Sequence, residues 1–255
     1  MLKSLSRLLR PAAPIPPPAS VPEGERWYVI GDIHGRADLL AKMLALIEGE
    51  IVRDRPADWR VVYLGDYVDR GPDSAGVIDM IARRVAANPR HVALLGNHDK
   101  VLAEFLTDAE TWWRFADFEG DTTARSYGVR IDFSSDAAIR QSRAALLAAM
   151  PPAHIAFLNG LKLSVTFGDF FFCHAGVRPG IALDAQDPED LIWIRCEFSD
   201  YPGLHPKLIV HGHTPHHEPE TRANRVNLDT YAFASGRLTA LAIEGRDKRF
   251  LEVTG

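Results

Sequence analysis

Residues 61–72 read VVYLGDYVDRGP: an apolar run, a glycine, then Asp66, Asp69 and Arg70 ahead of Gly71 and Pro72. An apolar run stopped by glycine is the pattern of a buried strand turning into a loop. Three charged side chains at the mouth of a core strand are either a solvated turn or the wall of a site that needs carboxylates. The arrangement recurs on either side of this stretch. WYVIG (27–31) is followed by Asp32 and His34, and VALLG (92–96) by Asn97, His98 and Asp99.

Between these runs the periodicity is helical. Leu39, Leu40, Met43, Leu44 and Ile47 predict an amphipathic helix over 37–51. Val77, Ile78, Ile81, Ala82 and Val85 predict a second, ending before Pro89, and an apolar helical segment follows from Val101 to Phe105. Strand, loop and helix three times over make an α/β sheet with helices packed on it. Residues 106–160 break this rhythm with an aromatic-rich stretch and the helical DAAIRQSRAALLAAM, which Pro151 and Pro152 stop; a helical insertion over the sheet is expected. From Leu161 the segments LKLSVTF, FFFCHAG, LIVHGH, RVNLDT and LTALAI, joined by short turns, predict a second sheet of mostly antiparallel strands.

The composition sets bounds on function. In 255 residues, 46% apolar and 25% charged side chains suit a soluble globular chain with a substantial core. A net charge of −5 argues against nucleic acid as the main partner. Cys173 and Cys196 form neither a disulfide framework nor a paired metal motif. No apolar run approaches the roughly 18 residues of a membrane span. The N-terminal MLKSLSRLLRPAAPIPPPAS is basic and then proline-rich, so residues 1–25 are expected to be a disordered tail ahead of a catalytic domain over 26–255. The expected setting is cytoplasmic, with no stable membrane association.

Two strands of the second half also end in histidine, His174 in CHAG and His211 with His213 in HGHTP. Ligands of α/β sheets bind at strand C-termini. An aspartate after glycine is ordinarily a turn residue and a lone histidine ordinarily a satisfied one. Five strand ends carrying the same residue types have no such explanation, and together they describe a metal site. Aspartate, asparagine and histidine suit Mn²⁺, Fe²⁺ or Zn²⁺. Asp32 and His34, two residues apart on an extended segment, share a side. Six ligating groups are too many for one open catalytic ion and suit two that share a bridge.

In that order, GDIHG, GDYVDRG, GNHD, HAG and GHTP resemble the calcineurin-like metallophosphoesterase superfamily, and within it the phosphoprotein phosphatases in their compact bacterial and phage form. The resemblance covers nearly all of residues 27–245, including DLIWIRCEF, NLDT and the insertion's GDTTARSYG. It implies a sandwich of two mixed β-sheets flanked by helices, with the helical insertion. It gives one metal to Asp32, His34 and Asp66, and a second to Asp66 as bridge with Asn97, His174 and His213. Manganese is the expected pair, with iron or zinc as alternatives. Arg70 and Arg195 are placed at the substrate phosphate, His98 as the general acid and Asp69 as its orienter. Direct attack by a metal-bridging hydroxide, without a phosphoenzyme, is the implied reaction. His211 matches no ligand and is expected to be structural.

Three departures bear on substrate. Leu95 and Asp99 in LGNHD stand where the protein phosphatases read RGNHE, and LGNHD is similar instead to symmetrical dinucleoside tetraphosphate hydrolases. Asp69 pulls the other way, because those hydrolases typically lack it. Tyr231 in DTYA replaces the glycine of DTGA, where a ring narrows the cleft. The main expectation is a serine/threonine protein phosphatase acting on a phosphoprotein or small phosphorylated substrate. The alternatives are a dinucleoside tetraphosphate or other nucleotide hydrolase and, from another class, a catalytically silent binding module on the same fold.

Overall fold

β1 (Glu25–Ile30) pairs in parallel with β2 (Asp58–Tyr63), and β2 with β3 (His91–Ala93), in the computed structural model, which describes residues 19–255. The intervening helices are α1 (Ala37–Asp54) and α2 (Ser74–Ala87), and β3 leads into α3 (Asn97–Thr107). Asp73 caps α2 by accepting the Gly76 N–H, which explains why GPDS ends the charged loop and starts a helix. Asn97 and His98 therefore lie in the first turn of α3, not in a loop as the sequence pattern implied.

The insertion is helical: a 3₁₀ turn (Ala109–Thr111), α4 (Trp112–Asp117), α5 (Gly120–Ser126), α6 (Asp136–Ala149) and α7 (Pro152–Asn159). Then follow β4 (Ser164–Phe167), β5 (Phe170–Cys173), α8 (Pro188–Trp193), α9 (Cys196–Ser199), β6 (Leu208–His211), β7 (Glu220–Thr221), β8 (Arg225–Asn227), α10 (Ala232–Ser235), β9 (Arg237–Glu244) and β10 (Asp247–Thr254). The two sheets have strand orders β10-β9-β1-β2-β3 and β4-β5-β6-β8-β7. Both are mixed, as the family resemblance implies, with helices on their outer faces.

Two expectations need correction. LTALAI forms most of β9 and belongs to the first sheet, antiparallel to β1 with Val29 opposite Leu241. The second sheet is not mostly antiparallel, since β5, β6 and β8 run parallel.

Period-two alternation assigns each strand face to its own core. Tyr28 and Ile30 face the helices α1 and α2, while Trp27 and Val29 face Phe170, Phe172, Val210 and Val226 of the other sheet. On β5, Phe171 and Cys173 turn outward to Leu191, Ile192 and Phe198 near α8 and α9. Both sheets are thus covered on both faces, and the parallel strands read as near-continuous apolar runs.

Of the expected tail, residues 1–18 lie outside the described residues. Residues 19–25 are not loose: the buried Val21 donates its N–H to Gly245 O (2.9 Å), and Ser20 N–H bonds Asp169 (3.0 Å). Among the described residues no helix is long and apolar enough to cross a membrane. Cys173 and Cys196 are both free.

Candidate active site

Strand register gathers the polar loops. Ile30 is opposite Tyr63 and Tyr63 opposite Ala93, so the segments after β1, β2 and β3 leave one sheet edge together. In the second sheet Phe172 is opposite Val210 and His211 opposite Asn227, which delivers His174, His213 and Asp229 to the same place. Asp32, His34, Asp66, Asp69, Asn97, His98, His174 and His213 are all buried.

Asp66 stands between two histidine groups. Its Oδ2 lies 3.4 Å from His34 Nε2, and its Oδ1 lies 3.4 Å from His174 Nε2. Ligand atoms of His34, Asp66 and His98 form one cluster, and those of Asp66, His174 and His213 another, each within 4.8 Å. Asn97 Oδ1 completes the second, 2.9 Å from both His174 Nε2 and His213 Nδ1. Asp32 sits beside them with Oδ2 accepting the His213 N–H (2.9 Å), while its buried Oδ1 has no partner. His34 and His174 are aimed by backbone carbonyls on their other nitrogens, Val68 O at 2.8 Å and Leu64 O at 3.1 Å.

The electrostatics fit a cation. Burial holds His34 down at about 3 and His213 at about 2, so both keep free lone pairs. Burial also lowers His174. Burial pushes the Asp66 carboxyl up, but His174, His98, His34 and His213 around it outweigh this and keep it ionised. Asp32 is raised by burial and by the charges of Asp229 and Asp66. Asp99 is pushed up to about 8 by burial and Asp66, and Asp229 to about 6 chiefly by burial. Carboxylates crowded in a dry site, one with an orphaned oxygen, beside neutral imidazoles are a donor set for divalent ions. Backbone approach is close: a Cβ on Gly96 would run into Asp66 Oδ1, and one on Gly212 into Asp32 Oδ1.

His98 falls within the first cluster by distance, but both of its nitrogens are engaged. Nδ1 lies 2.7 Å from Asp69 Oδ2, and Nε2 lies 3.2 Å from Arg70 Nη2. Arg70 can only donate, so Nε2 accepts from it here, and a nitrogen facing a guanidinium is a poor place for a metal ion. Arg70 pairs with no carboxylate among the described residues; its guanidinium lies 4.8 Å over the Phe233 ring. Arg195 is exposed ahead of α9, and its charge helps to lower His174 and His213. His211 is buried against Phe198 (4.9 Å) with Nδ1 at 2.9 Å from Gly212 O, outside both clusters.

Thr123, Asp229 and Phe118 escaped the sequence reading, and Asp99, named there in the GNHD cluster, was given no role. Thr123 of α5 donates to Asp69 Oδ1 (2.6 Å) and accepts the Asp69 N–H (2.9 Å), so the insertion holds the carboxylate that meets His98. Asp99 accepts the N–H groups of Asp66 (2.8 Å), Tyr67 (3.0 Å) and Gly96 (3.0 Å), fixing the loop that carries Asp66. Asp229 accepts the Tyr231 N–H (3.0 Å), and Phe118 packs on the His98 ring at 4.6 Å. Asp229 had a signal in NLDT, at a strand end like the others. Thr123 stands in GDTTARSYG, part of the resemblance but without an assigned role, and Phe118 had no signal beyond its place in the insertion.

The sequence profile of the calcineurin-like phosphoesterases matches residues 26–236. The chain belongs to this family of metallophosphoesterases, hydrolases of phosphoesters that use divalent metals. It is 30% identical over 241 residues to the asymmetrical bis(5'-nucleosyl)-tetraphosphatase PrpE of Anoxybacillus flavithermus, covering 84% of this chain and 89% of the relative. It is 26% identical over 236 residues to the protein of the same name from Bacillus thuringiensis, covering 85% and 89%. Among solved structures, one described as a candidate diadenosine tetraphosphatase superposes with a TM-score of 0.64 at 21% identity, over 93% of this chain and 98% of that one.

Proposed function

We propose that the chain is a dinucleoside tetraphosphate hydrolase of the asymmetrical type, in place of the protein phosphatase that the motifs first suggested. The observation that carries this is the 30% identity, over 84% of the chain, to an asymmetrical tetraphosphatase. The alternative drawn from LGNHD named the symmetrical enzymes; the relatives favour asymmetrical cleavage. Leu95 supports a departure from the protein phosphatases, because it packs against the apolar cluster around Phe171 and Leu191 and brings no charge to a phosphate.

Asp32, His34 and Asp66 would hold one divalent ion, and Asp66, Asn97, His174 and His213 a second. Bound there, two such ions supply positive charge against phosphate oxygens and make hydroxide available near neutral pH. Arg70 and Arg195 bind non-reacting phosphate oxygens, for which a guanidinium fork is suited. A water oxygen forms the new bond to an end phosphorus of the chain, and the P–O bond to the next phosphate breaks. The products are a nucleoside monophosphate and a nucleoside triphosphate. His98 gives the proton on Nε2 to the departing oxygen, and Asp69 holds Nδ1–H so that Nε2 faces outward.

The test is hydrolysis of diadenosine tetraphosphate and of phosphoserine and phosphothreonine peptides by the Mn²⁺-loaded enzyme, with nucleotide products separated by chromatography. Higher kcat/KM on the dinucleotide with ATP and AMP as products is expected. A preference for the peptides, or ADP as the sole product, overturns the reading.

A further inference from the structure

Eight non-glycine residues among those described have positive φ, and five of them are His34, Asp66, Asp69, Arg70 and His213. Of the other three, Arg55 ends α1 and Glu119 precedes α5. The last is Tyr231, at φ 63° and ψ 42°. This conformation crowds any side chain with a Cβ, and residues held in it gather at functional sites. Glycine, which the family resemblance places here, would make the turn without strain. The turn therefore gives no reason for a tyrosine.

Nor does the core. The Tyr231 side is 37% exposed, and its backbone is pinned by Asp229, which accepts its N–H, and by the Ala234 and Ser235 N–H groups on its carbonyl at 2.9 and 2.8 Å. Its ring lies 4.6 Å from Phe233. Phe233 in turn meets His34 edge-on at 5.5 Å and carries Arg70 on its face at 4.8 Å. Two ring-to-ring steps thus lead from the metal-binding cluster to solvent, along the side where Arg70 awaits a phosphate.

We infer that the Tyr231 ring is a nucleobase platform, stacking on one base of a nucleotide whose phosphate lies at Arg70 and the Asp66 cluster. The inference rests on the dinucleoside tetraphosphate reading and adds to it a residue that selects nucleotides over base-free phosphates. Stacking on an aromatic ring is tolerant of base identity, because every base has a π-face. The platform accordingly favours nucleotides as a class and discriminates little between adenine and other bases.

The experiment compares wild type, Tyr231→Gly and Tyr231→Phe, each loaded with Mn²⁺. Tyr231→Gly removes the ring and relieves the positive φ, so its Tm is not lower than that of wild type. Two quantities are read: KM for diadenosine tetraphosphate, and the inhibition constants of AMP and inorganic phosphate as competitive inhibitors. In Tyr231→Gly the KM and the AMP-to-phosphate ratio of inhibition constants each rise about tenfold, as loss of one base stack predicts. Tyr231→Phe keeps both near wild type. An unchanged ratio in Tyr231→Gly overturns the platform even if the dinucleotide is cleaved. A wild type that leaves the dinucleotide untouched overturns the underlying reading, and the platform with it.

Discussion

The His98 imidazole is fastened to the Asp69 carboxylate at 2.7 Å, Nδ1 to Oδ2, with both side chains buried. An ionised carboxylate only accepts, so Nδ1 carries the proton and Nε2 is the nitrogen presented to the site. Burial opposes a charged ring here, but the Asp66 charge and the bond to Asp69 outweigh it and raise the His98 pKa. The raised pKa favours the charged ring, in which Nε2 would carry a proton as well, as the proposed general acid requires.

How much that proton matters depends on the leaving group. A serine alkoxide is a strong base and needs protonation as it departs. A nucleotide phosphate, whose second pKa is about 6, departs readily as an anion. His98→Ala should therefore cut kcat on phosphoserine peptides by about 10²–10⁴-fold. On diadenosine tetraphosphate the loss should be about tenfold or less. Equal losses on both substrates would mean that His98 has another role. Metal content measured on the same variant separates that case from ligand loss.

Asp66 serves both histidine groups, one carboxylate oxygen toward each. Ions that bind the folded chain and not the unfolded one raise its stability by mass action. Added Mn²⁺ should raise the Tm of the metal-stripped protein, and chelation should abolish activity. In Asp66→Asn the bound metal should fall below one equivalent per chain and most of the Tm rise should vanish. Elemental analysis and thermal melts with and without Mn²⁺ measure this; a variant that still binds two ions would remove Asp66 from the bridge.

The strand ends were readable because each is an apolar run broken by polar residues, after a glycine in the first half and at a histidine in the second. β10 was not, since DKRFLEVT buries little beyond Leu251 and has no apolar face to show. The place of β9 beside β1 is a pairing across some two hundred residues of chain, which no local pattern encodes. Asn97 and His98 seemed loop residues because Gly96 marked a strand end; in the fold the same glycine also precedes the first turn of α3. Thr123 reaches Asp69 from 54 residues away in the insertion, and only tertiary structure joins them. Chemistry-bearing residues were thus legible where they sit on strand ends, as was Asp69 beside His98, while the contacts made by Thr123 and Asp99 were not.

Asp99 is one of those holding groups. It is fully buried and accepts three N–H bonds, from Asp66, Tyr67 and Gly96. Asp99→Ala would leave three buried donors unsatisfied, at about 1–3 kcal/mol each. A destabilisation of about 3 kcal/mol or more is expected, read as a lower urea midpoint at unchanged m-value. The Asp66 loop should loosen with it, so Mn²⁺ affinity should fall although Asp99 touches no proposed substrate. A stability within about 0.5 kcal/mol of wild type, the range of ordinary surface changes, would show that the loop holds itself.

Far from the site, His91 links stability to pH. Its Nδ1 lies 2.9 Å from the Tyr63 hydroxyl, and burial, with a smaller contribution from the Arg84 charge, lowers its pKa to about 4. The unfolded chain titrates this ring near 6.5. Between those values the unfolded state binds the extra proton and the folded state does not, so stability rises with pH across the interval. The contribution is complete above about 6.5 and is lost as pH falls toward 4. Glutamine at this position can still bond Tyr63 but does not titrate. His91→Gln should therefore show a shallower loss of unfolding free energy between pH 6.5 and 4 than wild type, with the two curves differing most at the acid end. Buried site histidines such as His34 and His213 titrate in the same direction, and they are common to both proteins, so the difference between the curves isolates His91. Parallel curves would mean that the ring is already charged in the fold, or reaches water freely enough that folding does not shift it.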